Sequence, residues 1–226
     1  MANRAPLSID EWYHCYNRGT EKRTVFEEPR DYERFIALLY TSNGTKPVRI
    51  SDRRDTRLHS ILSDKLINRG DSIVEIGAYA LMPNHIHILV RQLKKNGIAH
   101  FMQKVFTGYT MYFNLKYKRT GGLFSGTFKS KHILDDRYLK KVTAYILLNP
   151  VELFELQWKK GGGNIKTIEK KLINYPYSSL PDFFNSSRPE KKISGTDWSM
   201  YYDTKPRLSR MLADAQEYYQ TLRPEV

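Results

Sequence analysis

Two histidines separated by one isoleucine stand out in the segment LMPNHIHILV, residues 81–90. The rest of this segment has the apolar character of a buried strand. Because successive side chains of a strand point to opposite faces of a sheet, His85 and His87 must share one face. Imidazole is the commonest metal ligand in proteins. The pair therefore predicts a metal site, although a histidine pair considered alone is also compatible with a structural or exposed role.

The residues before Pro150 supply further groups at helical spacing. In the predicted helix RYLKKVTAYILLN, the residues Tyr138, Val142, Tyr145 and Asn149 are separated by four, three and four positions. They therefore lie on one narrow stripe of the helix. If this stripe faces the two histidines, we expect Asn149 to be a third metal ligand and Tyr145 to stand beside the metal. The open coordination positions would accept substrate oxygens.

These groups together indicate phosphoryl-transfer chemistry. A tyrosine phenolate is a competent nucleophile toward phosphorus and forms a covalent intermediate. A divalent ion on the non-bridging oxygens of a phosphodiester would polarise it and stabilise the charge that develops. Strand cleavage would then conserve the energy of the phosphodiester bond in a phosphotyrosine bond. Attack by a free 3′-hydroxyl could reverse the cleavage and rejoin the strand. Tyr145 is the preferred nucleophile; Tyr138 shares its stripe but has no asparagine one turn later.

The charge balance points to a polyanionic partner. The 226 residues include 37 lysines and arginines against 24 aspartates and glutamates, a net charge of +13, together with 16 tyrosines and 10 phenylalanines. Basic grooves lined with aromatic rings hold single-stranded nucleic acid. A basic cluster around a glycine-rich turn is interpreted as DNA-binding, with a plain solvated face as the alternative. Its members are Lys116, Lys118, Arg119, Lys129 and Lys131. His132, next to Lys131, is interpreted as a further phosphate contact, with a polar surface residue as the alternative.

The elements that must position these groups follow from periodicity and turn signals. We predict strands at 13–19, 72–83, 85–92 and 129–135 and helices at 31–40, 98–118 and 137–149. Asp136 is the predicted N-cap of the last helix, and Pro150 ends it. Strands joined by short turns, with helices that pack on one face, predict an α+β antiparallel fold.

Two regions lack a strong period. Residues 42–72 are rich in Arg, Asp, Ser and Gly, and we predict an exposed insertion with a short helix at LHSILSDKLI. Beyond residue 152 the sequence becomes irregular, and the Gly-Lys stretch at 159–163 is predicted to be its loosest segment. The predicted organisation is a catalytic domain over 1–152 and an extension of unknown role over 153–226.

Export and membrane signals are not apparent in the sequence. No apolar run approaches the roughly 20 residues of a membrane span, and the N-terminus has no apolar core of a signal peptide. Cys15 is the single cysteine, so an internal disulfide is excluded. We expect a cytoplasmic protein without a membrane partner.

Four sequence blocks, YNRG, MPNHIHILV, GGLFSGTFKSKHI and YILLNPV, resemble the HUH single-tyrosine transposases. The greatest likeness is to the REP-associated tyrosine transposases and their insertion-sequence relatives, and it covers residues 12–152. The resemblance implies a ferredoxin-like antiparallel sheet with the histidines on a central strand and the nucleophile on a following helix. By position it matches His85 and His87 to the HUH pair, Tyr145 to the nucleophile and Asn149 to a polar third ligand.

The function implied is that of a single-stranded DNA endonuclease and strand transferase. It would depend on Mg²⁺ or Mn²⁺, cleave at hairpin or palindromic element ends and form a 5′-phosphotyrosine intermediate. The expected partner is single-stranded DNA with hairpin structure, bound by a monomer or a homodimer. The alternative is a catalytically silent hairpin-binding protein or repressor of the same fold.

Overall fold

The computed structural model describes residues 6–184 and 187–221. Its strands and α-helices are β1 (Trp12–Arg18), α1 (Pro29–Thr41), α2 (Leu58–Ser63), β2 (Val74–Met82), β3 (His85–Gln92), α3 (Gly97–Lys116), β4 (Lys129–His132), α4 (Asp136–Leu148), α5 (Ile165–Ile173), α6 (Leu180–Phe183) and α7 (Leu208–Thr221). Short 3₁₀ helices include Thr20–Lys22, Asn149–Leu153 and Trp158–Lys160.

The four strands form one antiparallel sheet in the order β2-β3-β1-β4. The chain therefore runs strand, helix, strand, strand, helix, strand, with β3 between β2 and β1, which is the ferredoxin-like arrangement. The predicted α+β, ferredoxin-like fold with a central histidine strand is confirmed. The β2–β3 hairpin turns at Pro83–Asn84, as the strand and turn signals predict.

The alternation of β3 divides its side chains between two cores. Ile86, Ile88 and Val90 are buried in a core shared with α1 and α3. Leu89 is buried on the opposite face, in a core shared with α4. His85 and His87 follow the parity of Leu89, so both imidazoles lie on the α4 face.

Residues 42–72 are not the exposed insertion that the sequence predicts. The short helix is present as α2, but the apolar side chains of the segment enter the α1/α3 core; Ile50, Ile61 and Leu62 are each at most 3% exposed. The Asn43 side chain also bonds the backbone of Ile73 and Val74 where β2 begins. The apolar residues are too irregularly spaced to give a periodic signal, which explains the wrong prediction.

The described part of the extension completes the core on the α4 face. Trp158, Leu172, Phe183 and Leu212 are buried there together with α4. Residues 177–179 lie along the outer edge of β2, where the backbone N–H of Leu81 donates to the carbonyl of Tyr177 at 3.0 Å. The domain boundary at 152 stays a prediction. Among the described residues, no helix is both long and apolar enough to cross a membrane.

Candidate active site

Helix α4 turns the stripe that carries Tyr145 and Asn149 toward the two histidines, because the side chains beside this stripe are buried in the core. Leu139, Ile146 and Leu147 are at most 1% exposed in the core, whereas Tyr145 stays 37% exposed. The N-cap is Asp135 rather than the predicted Asp136: the Asp135 carboxylate accepts from the backbone N–H of Tyr138 at 2.7 Å. Two adjacent aspartates give the same capping signal, so the sequence could not separate them.

The structure brings together all four residues predicted for catalysis and metal binding. The ring centroids of His85 and His87 are 5.1 Å apart, and the Tyr145 ring lies 5.4 Å from that of His87 in an edge-on arrangement. The His85 Nε2 and Asn149 Oδ1 atoms are 3.3 Å apart. Tyr138, the alternative nucleophile, instead has the Lys131 ammonium 5.1 Å from its ring centroid.

Asn84 fixes the protonation pattern of His85. Its Nδ2 donates to the carbonyl of Lys22 at 3.2 Å, which directs its Oδ1 to His85 Nδ1 at 2.7 Å. The Nδ1–H of a neutral His85 therefore donates to Asn84, and the Nε2 lone pair faces the Asn149 Oδ1 atom. Two lone-pair atoms that face each other at this distance have no shared proton and suit a cation between them.

A third histidine, His14 on β1, was missed by the sequence analysis. Its Nε2 lies 2.8 Å from His87 Nδ1, so one ring donates to the other and His87 Nε2 stays available. Burial lowers the pKa of His14 to about 4, with a contribution from Lys131. Burial also lowers the pKa of His87 to about 2, assisted by the neighbouring His14, His85 and Arg18.

The donor set fits a divalent metal ion. Burial lowers the pKa of His85 as well, although a hydrogen bond that the protonated ring can donate to Asn149 raises it, so the imidazoles are neutral and offer lone pairs to a metal. Adjacent ligands about 2.1 Å from an octahedral ion are about 3 Å apart, close to the 3.3 Å between His85 Nε2 and Asn149 Oδ1. Within the described residues no group of three or more His, Cys, Asp or Glu is arranged to hold a metal. The candidate ligands are two imidazoles and one amide.

Tyr145 is a protonated phenol in this environment. Burial raises its pKa, and the charges of Glu152 and the neighbouring Tyr16 act in the same direction. The Lys159 charge and a hydrogen bond with Asn149 lower the pKa without reversing the shift. The phenol must therefore lose its proton when it becomes a nucleophile.

The predicted DNA-binding residues of β4 fall on two faces. Lys129 and Lys131 pair with Tyr16 and His14 of β1, so their side chains share the face of the candidate site. His132 points to the other face, where it stacks on Tyr13 with 5.0 Å between ring centroids. Its Nε2 also lies 3.0 Å from a carboxylate oxygen of Glu11.

The other predicted DNA-binding residues lie around the C-terminal end of α3. Lys116 is ion-paired with Asp31 and, at 2.7 Å, with Glu28. Arg119 donates to the Asn114 side chain at 3.1 Å, and Lys118 is exposed. Their part in DNA binding, like that of Lys129, Lys131 and His132, stays a prediction.

Residues 41–149 match the family model described as "Transposase IS200 like". This segment belongs to the IS200-like transposase family. It is just under half of the chain, ends at Asn149, and contains His85, His87 and Tyr145. The match agrees with the transposase resemblance of the sequence blocks.

One solved structure to which this chain is similar is that of a REP-associated tyrosine transposase bound to a REP hairpin. It is 14% identical, with a TM-score of 0.49, and the alignment covers 87% of this chain and 91% of the other. No curated protein matches the chain.

Proposed function

We propose that this IS200-like transposase is a divalent-metal-dependent single-stranded DNA endonuclease and strand transferase with Tyr145 as its nucleophile. The observation that carries the proposal is the convergence of Tyr145 with His87 and of His85 with Asn149 on one face of the sheet. The partly exposed phenol can reach a substrate, while the neighbouring His87 is buried, His85 is partly buried, and both imidazoles are neutral.

In the proposed reaction the Tyr145 oxygen attacks the phosphorus of a phosphodiester. A phosphorus–oxygen bond to tyrosine forms as the bond from phosphorus to the 3′-oxygen breaks. The phenol proton passes to solvent, and the leaving oxygen takes up a proton to become a free 3′-hydroxyl. The downstream fragment keeps its 5′-phosphate on the tyrosine, and attack by a 3′-hydroxyl rejoins the strand by the reverse steps.

His85, His87 and Asn149 would hold the divalent ion, Mg²⁺ or Mn²⁺. Such an ion supplies electrostatic stabilisation of the phosphate oxygens as their negative charge increases. His14 orients His87 through their shared hydrogen bond, and Asn84 does the same for His85. Asn149 also bonds Tyr145, so one amide links the metal ligands to the nucleophile.

The proposed substrate is single-stranded DNA that carries a hairpin. Support comes from the net charge of +13 and from the two lysines of β4 on the face of the site. All four residues of the proposed centre lie within one chain, so a monomer can carry out the proposed reaction, and the homodimer stays the alternative.

The first prediction tests the nucleophile with a matched pair of variants. The probe is a pool of fluorescent hairpin oligonucleotides with randomised single-stranded flanks, incubated with protein and Mn²⁺ and resolved on a denaturing gel. Wild type and Tyr138→Phe should form a covalent adduct, and Tyr145→Phe should form none while still binding the pool. Peptide mapping should find the DNA on Tyr145. A map to Tyr138 would show the assignment wrong, and no adduct in wild type would favour the catalytically silent DNA-binding protein.

A further inference from the structure

The stripe that carries Tyr145 and Asn149 continues past the end of α4. The following 3₁₀ helix, Asn149–Leu153, has three residues per turn, so Glu152 lies directly beyond Asn149 on the same side. The Glu152 carboxylate is partly exposed and binds the ammonium of Lys159 at 2.6 Å. A lysine from beyond the family match is therefore held beside the candidate active site.

The position of Lys159 is fixed by its neighbours. It belongs to the 3₁₀ helix Trp158–Lys160, in which Trp158 is only 2% exposed in the core of the α4 face. The Gln216 side chain of α7 donates to the Trp158 carbonyl at 3.1 Å. The Lys159 side chain itself is 45% exposed and open to a ligand from solvent.

The charge of Lys159 acts on both halves of the site. It lowers the pKa of Tyr145, and it also lowers the pKa of His85, while Glu152 has the opposite effect on each. These effects agree with the geometry, in which the ion pair with Glu152, one 3₁₀ turn beyond Asn149, places the ammonium at the end of α4 that carries Tyr145 and Asn149.

We propose that Lys159 binds a non-bridging oxygen of the scissile phosphodiester. When DNA enters the site, this oxygen replaces the Glu152 carboxylate as the partner of the ammonium. This role rests on the proposed function. A phosphodiester carries one negative charge, and attack by a phenolate adds a second as the transition state forms. An ammonium is a compact point charge with three donors and binds phosphate well. In the free protein Glu152 holds the lysine in position.

The test compares four variants in the adduct assay with the hairpin pool and Mn²⁺. At saturating DNA, Lys159→Met should slow adduct formation by about 10- to 100-fold. This decrease in rate is smaller than the one expected when a buried oxyanion donor is removed, because the Lys159 side chain is half exposed and its charge is screened by solvent. Pool affinity should change by less than about fivefold. Lys159→Arg should restore most of the rate, and the matched control Lys160→Met, in the same 3₁₀ helix, should react like wild type.

Glu152→Gln separates phosphate binding from a structural role. If Lys159 only ties the extension to α4, removing either partner of the ion pair should slow the reaction equally, and that result would overturn the proposal. We expect Glu152→Gln to keep a rate within about fivefold of wild type. A wild-type rate in Lys159→Met overturns the role of Lys159 alone, whereas no adduct in wild type overturns the proposed function and this role with it. Thermal unfolding of each variant checks that it folds.

Discussion

The two faces of the sheet use buried polar groups in opposite ways. On the α1/α3 face, Asp31 is fully buried, and its carboxylate accepts hydrogen bonds from Lys116, from the hydroxyls of Tyr112 and Tyr117, and from two backbone N–H groups. On the α4 face, the buried Asn149 Oδ1 lies 3.3 Å from Nε2 of the partly buried His85, and the bond from His85 Nδ1–H to Asn84 leaves both atoms as acceptors. A buried polar group that the protein satisfies completely stabilises the fold, whereas one that faces another acceptor is suited to a ligand.

The largest effect expected from this comparison is on the histidine side. His85→Ala should reduce adduct formation by at least about 10³-fold, because a ligand of the ion that stabilises the phosphate is lost. Its free energy of unfolding should change by less than about 1 kcal/mol, since the lost bonds are few. His100→Ala, at an exposed position of α3, is the control. Wild-type activity in His85→Ala, or in wild type with excess EDTA, contradicts the metal assignment.

The buried Asp31 carboxylate and its hydrogen-bond donors, here called the Asp31 cluster, should show the reverse pattern. Their loss should reduce the stability of the fold and leave the activity unchanged. Asp31→Ala leaves Lys116 and two tyrosine hydroxyls without their acceptor, so we expect a loss of about 3 kcal/mol in the free energy of unfolding. Adduct formation per folded molecule should stay at the wild-type level. Chemical denaturation measures the first quantity, and a small loss would show that the cluster contributes little.

The same variant gives a pH control. Burial acts to raise the pKa of Asp31, but hydrogen bonds from Lys116, Tyr117 and the backbone outweigh it and lower the pKa. Because the folded-state pKa is lowered, this stabilisation is present above the ordinary value of about 3.9 and is lost as pH falls through the folded-state value. The difference in stability between wild type and Asp31→Ala should therefore shrink only in that acid range.

His14 gives an intermediate case on the α4 face, because we expect it to act on the metal site only through His87. His14→Ala leaves His87 Nδ1 without its partner and frees the His87 ring to reorient. We expect the Mn²⁺ concentration for half-maximal adduct formation to rise about 10- to 100-fold, with the rate recovered at high Mn²⁺. An unchanged midpoint in the metal titration would remove His14 from the site.

The smallest effect expected is on DNA affinity. Lys129→Ala and Lys131→Ala should each weaken binding and reduce the slope of log affinity against log salt by about 0.7, the share of one phosphate contact on a single strand. His132→Ala, on the other face of β4, is the comparison variant. Slopes that all equal the wild-type value would show that the two lysines do not contact phosphates.

Site residues whose relative positions depend only on the periodicity of one strand or one helix could be predicted from the sequence. The parity of β3 places His85 and His87 on one face, and helical spacing brings Tyr145 and Asn149 to one stripe. His14 required the pairing of β1 with β3, which sets Tyr16 opposite His87 and leaves His14 diagonal to it. That register is a long-range property without a local signal.

Lys159 was missed for a related reason. The glycines and lysines of residues 159–163 predict a loose segment. The preceding residue, Trp158, is nevertheless buried in the core, and its backbone carbonyl accepts a hydrogen bond from Gln216 of α7. The ion pair with Glu152 spans a turn between two 3₁₀ helices, which have no hydrophobic period to reveal them. Residues 42–72 misled the analysis in the same way, because tertiary packing buries irregularly spaced apolar residues.

The contact of residues 177–179 with β2 also protects the protein from self-association. An open strand edge offers unpaired backbone groups that can recruit a strand from another molecule. Here the backbone N–H of Ser179 donates to the carbonyl of Tyr79 at 3.0 Å, and Ser178 bridges Ala80. The opposite edge, β4, is only four residues long and carries two lysines, features that discourage strand addition. The extension therefore makes edge-to-edge aggregation of the sheet unfavourable.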